Sequence, residues 1–310
     1  MTVGGWYLRW VIPMTAVLLL SACASLPIVD YPSANQDGRV RFLVIHFTDE
    51  DFQRSLELLT RPHKNPVSAH YLVSRAGEFG GNDKPAVLRL VDESRRAWHA
   101  GPSRWQGHAQ LNDDSVGIEI VYESRCPRDA APSSPWDLEP RCAYPDFPAD
   151  QIDVVTRLAQ GILRRHPDID PTRVVAHADI QPENKTDPGP KFPWKQLAAA
   201  GVGAWFDDTD VVFWRAHFAE HPPSIALMQE ALAAYGYGVE AGGSADRRTR
   251  DVLFAFQSHF LPERRSGTVD ADTAAALFAL LAKYRAPELN QLRERNPGLP
   301  VSPRDAERTK

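Results

Sequence analysis

Three short runs rich in β-branched and aromatic residues constrain the fold of this chain most strongly. They cover residues 40–47, 115–122 and 173–177, and they have the length and composition of β-strands. Residues 150–166 instead carry their apolar side chains at helical spacing, and Pro167 ends that pattern. Phe52, Leu56 and Leu59 predict another helix after the first run. This mixture predicts an α/β domain with a mixed central β-sheet flanked by helices.

Length, composition and charge set wider limits. The chain has 310 residues, of which 43% are hydrophobic and 24% charged, as in an ordinary globular protein of one large or two modest domains. Its formal net charge is −5, and it has no basic stripe. These properties argue against nucleic acid as a partner.

The N-terminus has the features of an export signal. Arg9 precedes an apolar run over residues 10–22, which is short for a membrane helix of about 20 residues. Leu20-Ser21-Ala22-Cys23 resembles a bacterial lipobox, which implies a signal peptide over residues 1–22, acylation of Cys23 and stable anchoring by more than one acyl chain. Ala24 favours, by the same resemblance, the outer membrane with the protein facing the periplasm. A plain secretory signal or a short anchor is the alternative, and residues 23–38 are predicted to be a tether.

The two remaining cysteines fit an exported protein. Cys126 and Cys142 flank a loop rich in proline and serine. We predict a disulfide between them, which would stabilise the fold by about 3 kcal/mol in the chain-entropy model. Two unrelated thiols are the alternative.

Residues 177–189 bring three chemically active side chains together. His177, Lys185 and Asp187 lie in a segment whose prolines and glycine are predicted to exclude a regular helix or strand. A catalytic zinc site needs three protein ligands, and histidine with a carboxylate is an established set. The segment offers two ligands, and His46 at the end of the first β-run is the candidate for the third. The alternative for His46 is a hydrogen-bonded core histidine.

Glu119 is a carboxylate within an apolar β-run. A buried and unpaired charge costs several kcal/mol, so this side chain either pairs with a cation or serves the chemistry. Partial burial raises the proton affinity of a carboxylate, which suits a general base near neutral pH. The alternative is that Glu119 lies on the exposed face of an edge strand.

In combination, these motifs resemble a known enzyme family. His46 at a strand end, Ser115-Val-Gly-Ile-Glu119-Ile, Ala97-Trp-His-Ala-Gly101 and residues 177–189 are similar to the zinc-dependent N-acetylmuramoyl-L-alanine amidases related to AmpD and AmiD. The resemblance covers residues 39–205 and implies a sheet like that of the amidases and peptidoglycan recognition proteins.

The same resemblance assigns roles to individual residues. It implies one Zn²⁺ per chain, held by His46, His177 and Asp187. Glu119 would be the base that activates the attacking water, and Lys185 would stabilise the oxyanion; the alternative for Lys185 is a solvated loop lysine. Side chains near the substrate groove would be Asn82, Ser94, Trp98 and His99. The histidines without ligand spacing, including His259, are predicted to be surface or partly packed residues.

An internal repeat marks a second domain. A motif of Gly, Asp and Thr followed by Leu-Phe-Ala occurs twice, and we expect Asp246 and Asp270 to be helix N-caps. With an earlier apolar helix, the repeat predicts a small all-α three-helix domain over residues 223–285, which resembles the peptidoglycan-binding domain of wall hydrolases. A helical domain that merely packs on the catalytic one is the alternative. The aromatic-rich connector over residues 206–222 is predicted to be packed, and residues 286–310 to form a disordered tail.

Two classes of function remain open. The resemblance implies a lipid-anchored, monomeric envelope enzyme that cleaves the amide between N-acetylmuramic acid and L-alanine in peptidoglycan or muropeptides. The alternatives are a non-catalytic peptidoglycan recognition protein of the same fold and a metallopeptidase that cuts within the stem peptide. The presence of His46, Glu119, His177, Lys185 and Asp187 together favours the amidase.

Overall fold

A computed structural model describes residues 1–2, 29–127, 134–137 and 139–304. The chain divides into residues 1–37 and residues 38–310. Most of the predicted signal peptide, including Cys23, lies outside the described residues, and residues 29–37 contain no helix or strand. In the part of the chain that is described, no helix is both long and apolar enough to cross a membrane.

The predicted mixed sheet is present. The strands are β1 (Phe42–Phe47), β2 (Tyr71–Val73), β3 (Val87–Arg89), β4 (Arg104–Trp105), β5 (His108–Ala109), β6 (Ser115–Ile120) and β7 (Val174–Ala176). Among the described residues, five of them form one sheet in the order β3-β2-β6-β1-β7, and β4 pairs with β5. Strands β2, β6, β1 and β7 are parallel, whereas β3 is antiparallel to β2.

Strand β1 lies inside the sheet and is covered on both faces. Phe42, Leu43, Val44 and Ile45 are all fully buried. A parallel strand buried on both faces is expected to be a continuous apolar run, which explains the composition of this segment. Each such side chain contributes about 1.5–3 kcal/mol of burial energy, so β1 is firmly held.

Helices cover the sheet and continue beyond it. They are α1 (Phe52–Thr60), α2 (Ala149–Arg165), α3 (His177–Ile180), α4 (Trp194–Ala199), α5 (Asp208–Glu220), α6 (Ile225–Tyr235), α7 (Arg247–Phe260), α8 (Ala271–Tyr284) and α9 (Ala286–Arg295). The predicted helices α1 and α2 are confirmed. Helix α2 buries Ile152, Val155, Ala159 and Ile162, which share one face.

The Cys126–Cys142 disulfide is present, with an S–S distance of 2.03 Å. The loop that it closes packs against α7: Ser134 Oγ donates a hydrogen bond to Asp251 Oδ1, and the ring of Trp136 stacks on Phe254. The disulfide therefore closes a loop that connects the sheet region with the C-terminal helices.

The internal repeat folds as predicted and repeats a hydrogen-bonding pattern. Asp246 and Asp270 cap α7 and α8 by accepting from the backbone N–H groups of Thr249 and Thr273. In each copy, a buried glutamine of the preceding helix also binds this turn. Gln229 Nε2 donates to Thr249 Oγ1 at 2.7 Å, and Gln257 Nε2 donates to Thr273 Oγ1 at 3.0 Å.

Two helices extend the predicted three-helix bundle. The connector forms α5, whose Trp214 and Phe218 pack against Phe278 of α8, so the connection is packed. The prediction of a disordered tail is wrong for residues 286–295, which form α9 with Leu289 and Leu292 fully buried. Two leucines at i, i+3 spacing are enough to hold one helix face on α8, although the segment is polar overall.

The segment after β7 also differs from expectation. Its first four residues form one helical turn, α3, which Pro182 prevents from continuing. Because α3 begins at His177, the fold of this short helix determines where that imidazole lies.

Candidate metal centre and active site

The parallel strands bring the predicted site residues to one edge of the sheet. His46 near the end of β1 lies in register with Glu119 of β6, and His177 directly follows β7. The carboxyl ends of neighbouring parallel strands meet at a common edge, so these side chains converge. Because β6 lies between β2 and β1, the alternative that places Glu119 on an edge strand is wrong.

Three ligand atoms converge at this edge. His46 Nδ1 lies 2.9 Å from His177 Nδ1, and Asp187 Oδ2 lies 3.1 Å from each of these nitrogens. All three residues are buried, and among the described residues they form a cluster that could hold a metal ion. Two tetrahedral zinc ligands at about 2.0–2.1 Å from the ion lie roughly 3.3 Å apart, so these separations suit one small cation.

The backbone of residues 186–189 holds Asp187 against α3. Ala178 N donates to Asp187 O at 3.0 Å, which ties the Asp187 backbone to the helix that begins with His177. Gly189 has a φ of +76°, and a Cβ there would lie 3.2 Å from the rings of Phe47 and Tyr144. The close approach of these rings and the left-handed backbone explain why glycine follows Pro188.

The electrostatic surroundings keep the candidate ligands in the form that binds a metal. Burial, and then the neighbouring His177, lowers the pKa of His46 to about 4, so the imidazole is neutral at pH 7. Burial alone would raise the pKa of Asp187, but His177 and His46 outweigh it and hold the pKa well below its usual value. A neutral imidazole and an ionised carboxylate are the states that bind zinc.

A chain of hydrogen bonds determines the tautomer of His46. Ser115 Oγ donates to Leu111 O, so it accepts from His99 Nε2 at 3.2 Å. Burial, and then His46, lowers the pKa of His99 well below its usual value, so this ring is neutral and its Nδ1 is an acceptor. His99 Nδ1 lies 3.0 Å from His46 Nε2, which must therefore carry the proton. The lone pair of His46 Nδ1 then faces His177 and Asp187.

Close packing holds His99 in this chain. A Cβ at Gly117 would lie 2.6 Å from the His99 ring, so only glycine leaves room for the imidazole. On the backbone side, Asn112 Oδ1 accepts from the N–H groups of His99 and Ala100 at 3.0 and 2.8 Å. Sequence reasoning missed the contributions of Ser115 and Asn112, and only the glycine within a β-run hinted at a close approach.

Glu119 and Lys185 lie beside the ligand cluster. Burial, and then the charge of Asp187, raises the pKa of Glu119 well above its usual value, and Lys185 partly offsets this. Glu119 Oε2 is buried and has no hydrogen-bond partner among the described residues. A carboxylate with raised proton affinity and a free oxygen is suited to accept a proton during a reaction.

A cavity of about 170 Å³ opens onto these side chains. The candidate ligands His177 and Asp187 line it, as do Glu119, Lys185, Trp98 and His99. Asn82 and Ser94 are exposed and are not among its described lining, so their contact with substrate stays a prediction. A larger cleft of about 660 Å³ near Arg104 and Arg248 contains none of the cluster. The reactive side chains, and not the cavity size, identify the site.

Comparisons with known families match both regions. Residues 36–190 match the family described as N-acetylmuramoyl-L-alanine amidase. Residues 221–277 match a family described as a peptidoglycan binding domain. The two matches overlap residues 39–205 and residues 223–285, respectively.

Individual relatives extend the likeness over most of the chain. N-acetylmuramoyl-L-alanine amidase AmiD of Escherichia coli is 42% identical over 283 residues, which cover 87% of this chain and 96% of that protein. AMPDH3 from Pseudomonas aeruginosa, 40% identical, has a TM-score of 0.74 and covers 84% of this chain and 100% of its own. AmiD in complex with anhydro-N-acetylmuramic acid-L-Ala-D-gamma-Glu-L-Lys, 41% identical, has a TM-score of 0.70 and covers 82% and 93%. This chain belongs to the N-acetylmuramoyl-L-alanine amidase family.

Proposed function

We propose that this protein is a zinc-dependent amidase that hydrolyses the bond between N-acetylmuramic acid and L-alanine in peptidoglycan or muropeptides. The observation that carries the proposal is the convergence of His46 Nδ1, His177 Nδ1 and Asp187 Oδ2 beside a cavity that is lined by His177, Asp187, Glu119 and Lys185. The solved relatives support the substrate class, because one is bound to a muramyl peptide and AMPDH3 was solved with an anhydromuramic pentapeptide.

The ligand set fits a zinc ion. His46 Nδ1 and Asp187 Oδ2 are both hydrogen-bond acceptors, yet they face each other at 3.1 Å. Two acceptors at this distance repel unless a cation lies between them. Two imidazole nitrogens and one carboxylate oxygen form a known catalytic zinc set that leaves a position for substrate or water.

The protein side chains then divide the chemistry among them. The chemistry that zinc supplies when bound is Lewis acidity towards the scissile carbonyl and the attacking water. Glu119 accepts a proton from that water and returns it to the departing L-alanine nitrogen, so the amide ends as a carboxylic acid and an amine. The Lys185 ammonium donates to the oxygen that becomes negative in the tetrahedral intermediate.

A digest of purified sacculi and of soluble anhydro-muropeptides tests this proposal. The amidase releases stem peptides with new L-alanine amino termini and creates no new reducing ends in the glycan. Other new peptide termini would identify a stem-peptide metallopeptidase. Binding without any products from the zinc-loaded protein would identify a recognition protein. The two substrates together determine whether intact wall, soluble fragments or both are cleaved.

The proposal includes attachment to the outer membrane through lipid on Cys23, with the enzyme facing the periplasm. The sequence Leu20-Ser21-Ala22-Cys23 supports it. Metabolic labelling with a fatty acid tests it, because the full-length chain should incorporate label and fractionate with the outer membrane. The Cys23→Ser variant is the matched control and should do neither. Equal labelling of both chains would contradict the proposal.

A further inference from the structure

The C-terminal helices bind the short helix that carries a metal ligand. Asp179 lies two residues after His177 in α3 and is fully buried. Its carboxylate accepts hydrogen bonds from Tyr237 Oη at 2.6 Å and from His259 Nδ1 at 2.7 Å. Tyr237 and His259 both lie in the region that matches the peptidoglycan binding domain. The prediction that His259 is a surface or partly packed residue is wrong, since it is 4% exposed.

Asp179 also fixes the start of α3. Its Oδ2 accepts from the backbone N–H of Ala176 at 2.8 Å, which closes the first turn of the helix. A single helical turn is not stable by itself, because the cost of forming it is not repaid by further turns. The position of α3 therefore depends on contacts from outside the helix, and Asp179 receives two of them from the C-terminal region.

The two histidine ligands are held in different ways. The Nε2 of His46 is hydrogen-bonded to His99, whereas the buried Nε2 of His177 has no hydrogen-bond partner among the described residues. None of the described side chains therefore orients the His177 ring by a hydrogen bond to its Nε2. Its place in the metal centre depends on where the backbone of α3 lies.

A second set of contacts supports the same segment. Trp136 Nε1 donates to Pro182 O at 2.7 Å, just after α3, and the Trp136 ring stacks on Phe254 of α7. Arg248 of α7 forms an ion pair with Glu183 at 3.2 Å. Helix α7 thus contacts the ligand-bearing segment both at α3 and at the residues that follow it.

We propose that the C-terminal helical region is part of the metal centre's support, and that Tyr237 and His259 are positioning residues that act on His177 through Asp179. The proposal rests on the proposed zinc site. It gives the helical region a role that does not require it to bind the cell wall. Partners that orient metal ligands typically change metal affinity by about 10–100-fold when they are removed.

The test measures zinc affinity of the full-length protein by competition with a chelator. Tyr237→Phe removes one hydroxyl that binds Asp179, and His259→Phe keeps an aromatic ring against Trp194 but removes the Nδ1 donor. We expect each change to raise the zinc Kd by about tenfold. Amidase activity should fall at limiting zinc and recover in excess zinc.

The matched control is Tyr235→Phe. Tyr235 is a buried neighbour in the same helical region and makes no hydrogen bond to Asp179 in the described structure, so its zinc Kd should not change. Unchanged affinity in the Tyr237 and His259 variants, or an equal loss in the control, would overturn the inference. If His259→Phe fails to fold, the single-atom change at Tyr237 decides. A wild-type protein that retains no zinc would instead refute the proposed function, and this inference with it.

Discussion

The imidazoles of His46 and His99 share a hydrogen bond of 3.0 Å, from Nε2 of the first to Nδ1 of the second. This contact leaves the lone pair of His46 Nδ1 free for a metal. Replacing His99 by phenylalanine removes the acceptor, and we expect the zinc Kd to rise by about 10–100-fold. Chelator competition measures the change. The control is Trp98→Phe, which alters the same cavity at a residue with no described hydrogen bond to His46, His177 or Asp187. Wild-type affinity in the His99 variant would show that the contact does not contribute to zinc binding.

Gly117→Ala places a methyl group 2.6 Å from the His99 ring. Overpacking of this kind typically destabilises by about 1–3 kcal/mol, and the displaced ring should also weaken zinc binding. Urea unfolding measures the stability. At Gly242 no atom lies within 4 Å of an added Cβ, so Gly242→Ala should be nearly neutral. Equal stability of the two variants would contradict the close approach of His99.

Glu119→Gln preserves the shape of the side chain but removes its ability to accept a proton. We expect kcat to fall by about 10²–10⁴-fold while the protein keeps one zinc ion. Metal analysis alongside the turnover assay separates these effects. His46→Ala provides the contrast, because it should lose the metal as well. Loss of stoichiometric zinc from the Glu119 variant would refute its role as the base.

Lys185→Gln removes the positive donor from the cavity. Because the proposed interaction forms with the developing oxyanion, kcat should fall by about 10²–10³-fold with little change in KM. Steady-state kinetics on a soluble muropeptide measure both constants. Lys191→Gln is the control, since Lys191 forms an exposed ion pair with Asp146 outside the cavity. A rise in KM at constant kcat would instead assign Lys185 to substrate binding.

The lowered pKa of Glu93 predicts how the free energy of unfolding changes in acid. Burial alone would raise its pKa, but hydrogen bonds from Arg165, Tyr71 and His166 outweigh burial and lower it to about 2. Because the folded-state pKa lies below the unfolded value of 4.5, the stabilisation is fully present above about pH 4.5 and is lost as the pH falls towards about 2. Urea unfolding between about pH 5 and about pH 3 should show this loss.

Glu93→Gln is the matched variant for that experiment. It should be less stable than wild type at neutral pH, because the amide cannot replace the carboxylate towards Arg165 and His166. Its stability should also change less over the same acid range. Parallel pH profiles for the two proteins would show that other groups cause the acid loss.

Local patterns could be predicted because their causes lie within a few residues. The apolar run of β1, the helical spacing of α2 and the caps at Asp246 and Asp270 all follow from neighbours along the chain. Short elements could not be predicted, because a few residues show no periodicity. Strand β2 has only three residues, and without it β6 could be taken for an edge strand with Glu119 exposed. Helix α9 was missed because its overall polarity concealed two buried leucines.

The sequence alone determined which side chains could form the centre: two histidines and an aspartate as ligands, with Glu119 and Lys185 beside them. These residues lie in short sequence motifs, and the resemblance of those motifs to the amidases assigns their roles. Only the tertiary structure decided how the candidate ligands are held. The partners of buried polar groups, such as His99 for His46 and the C-terminal His259 for Asp179, lie far away in sequence. A buried polar group must find a partner, but the fold alone determines which one comes within hydrogen-bonding distance.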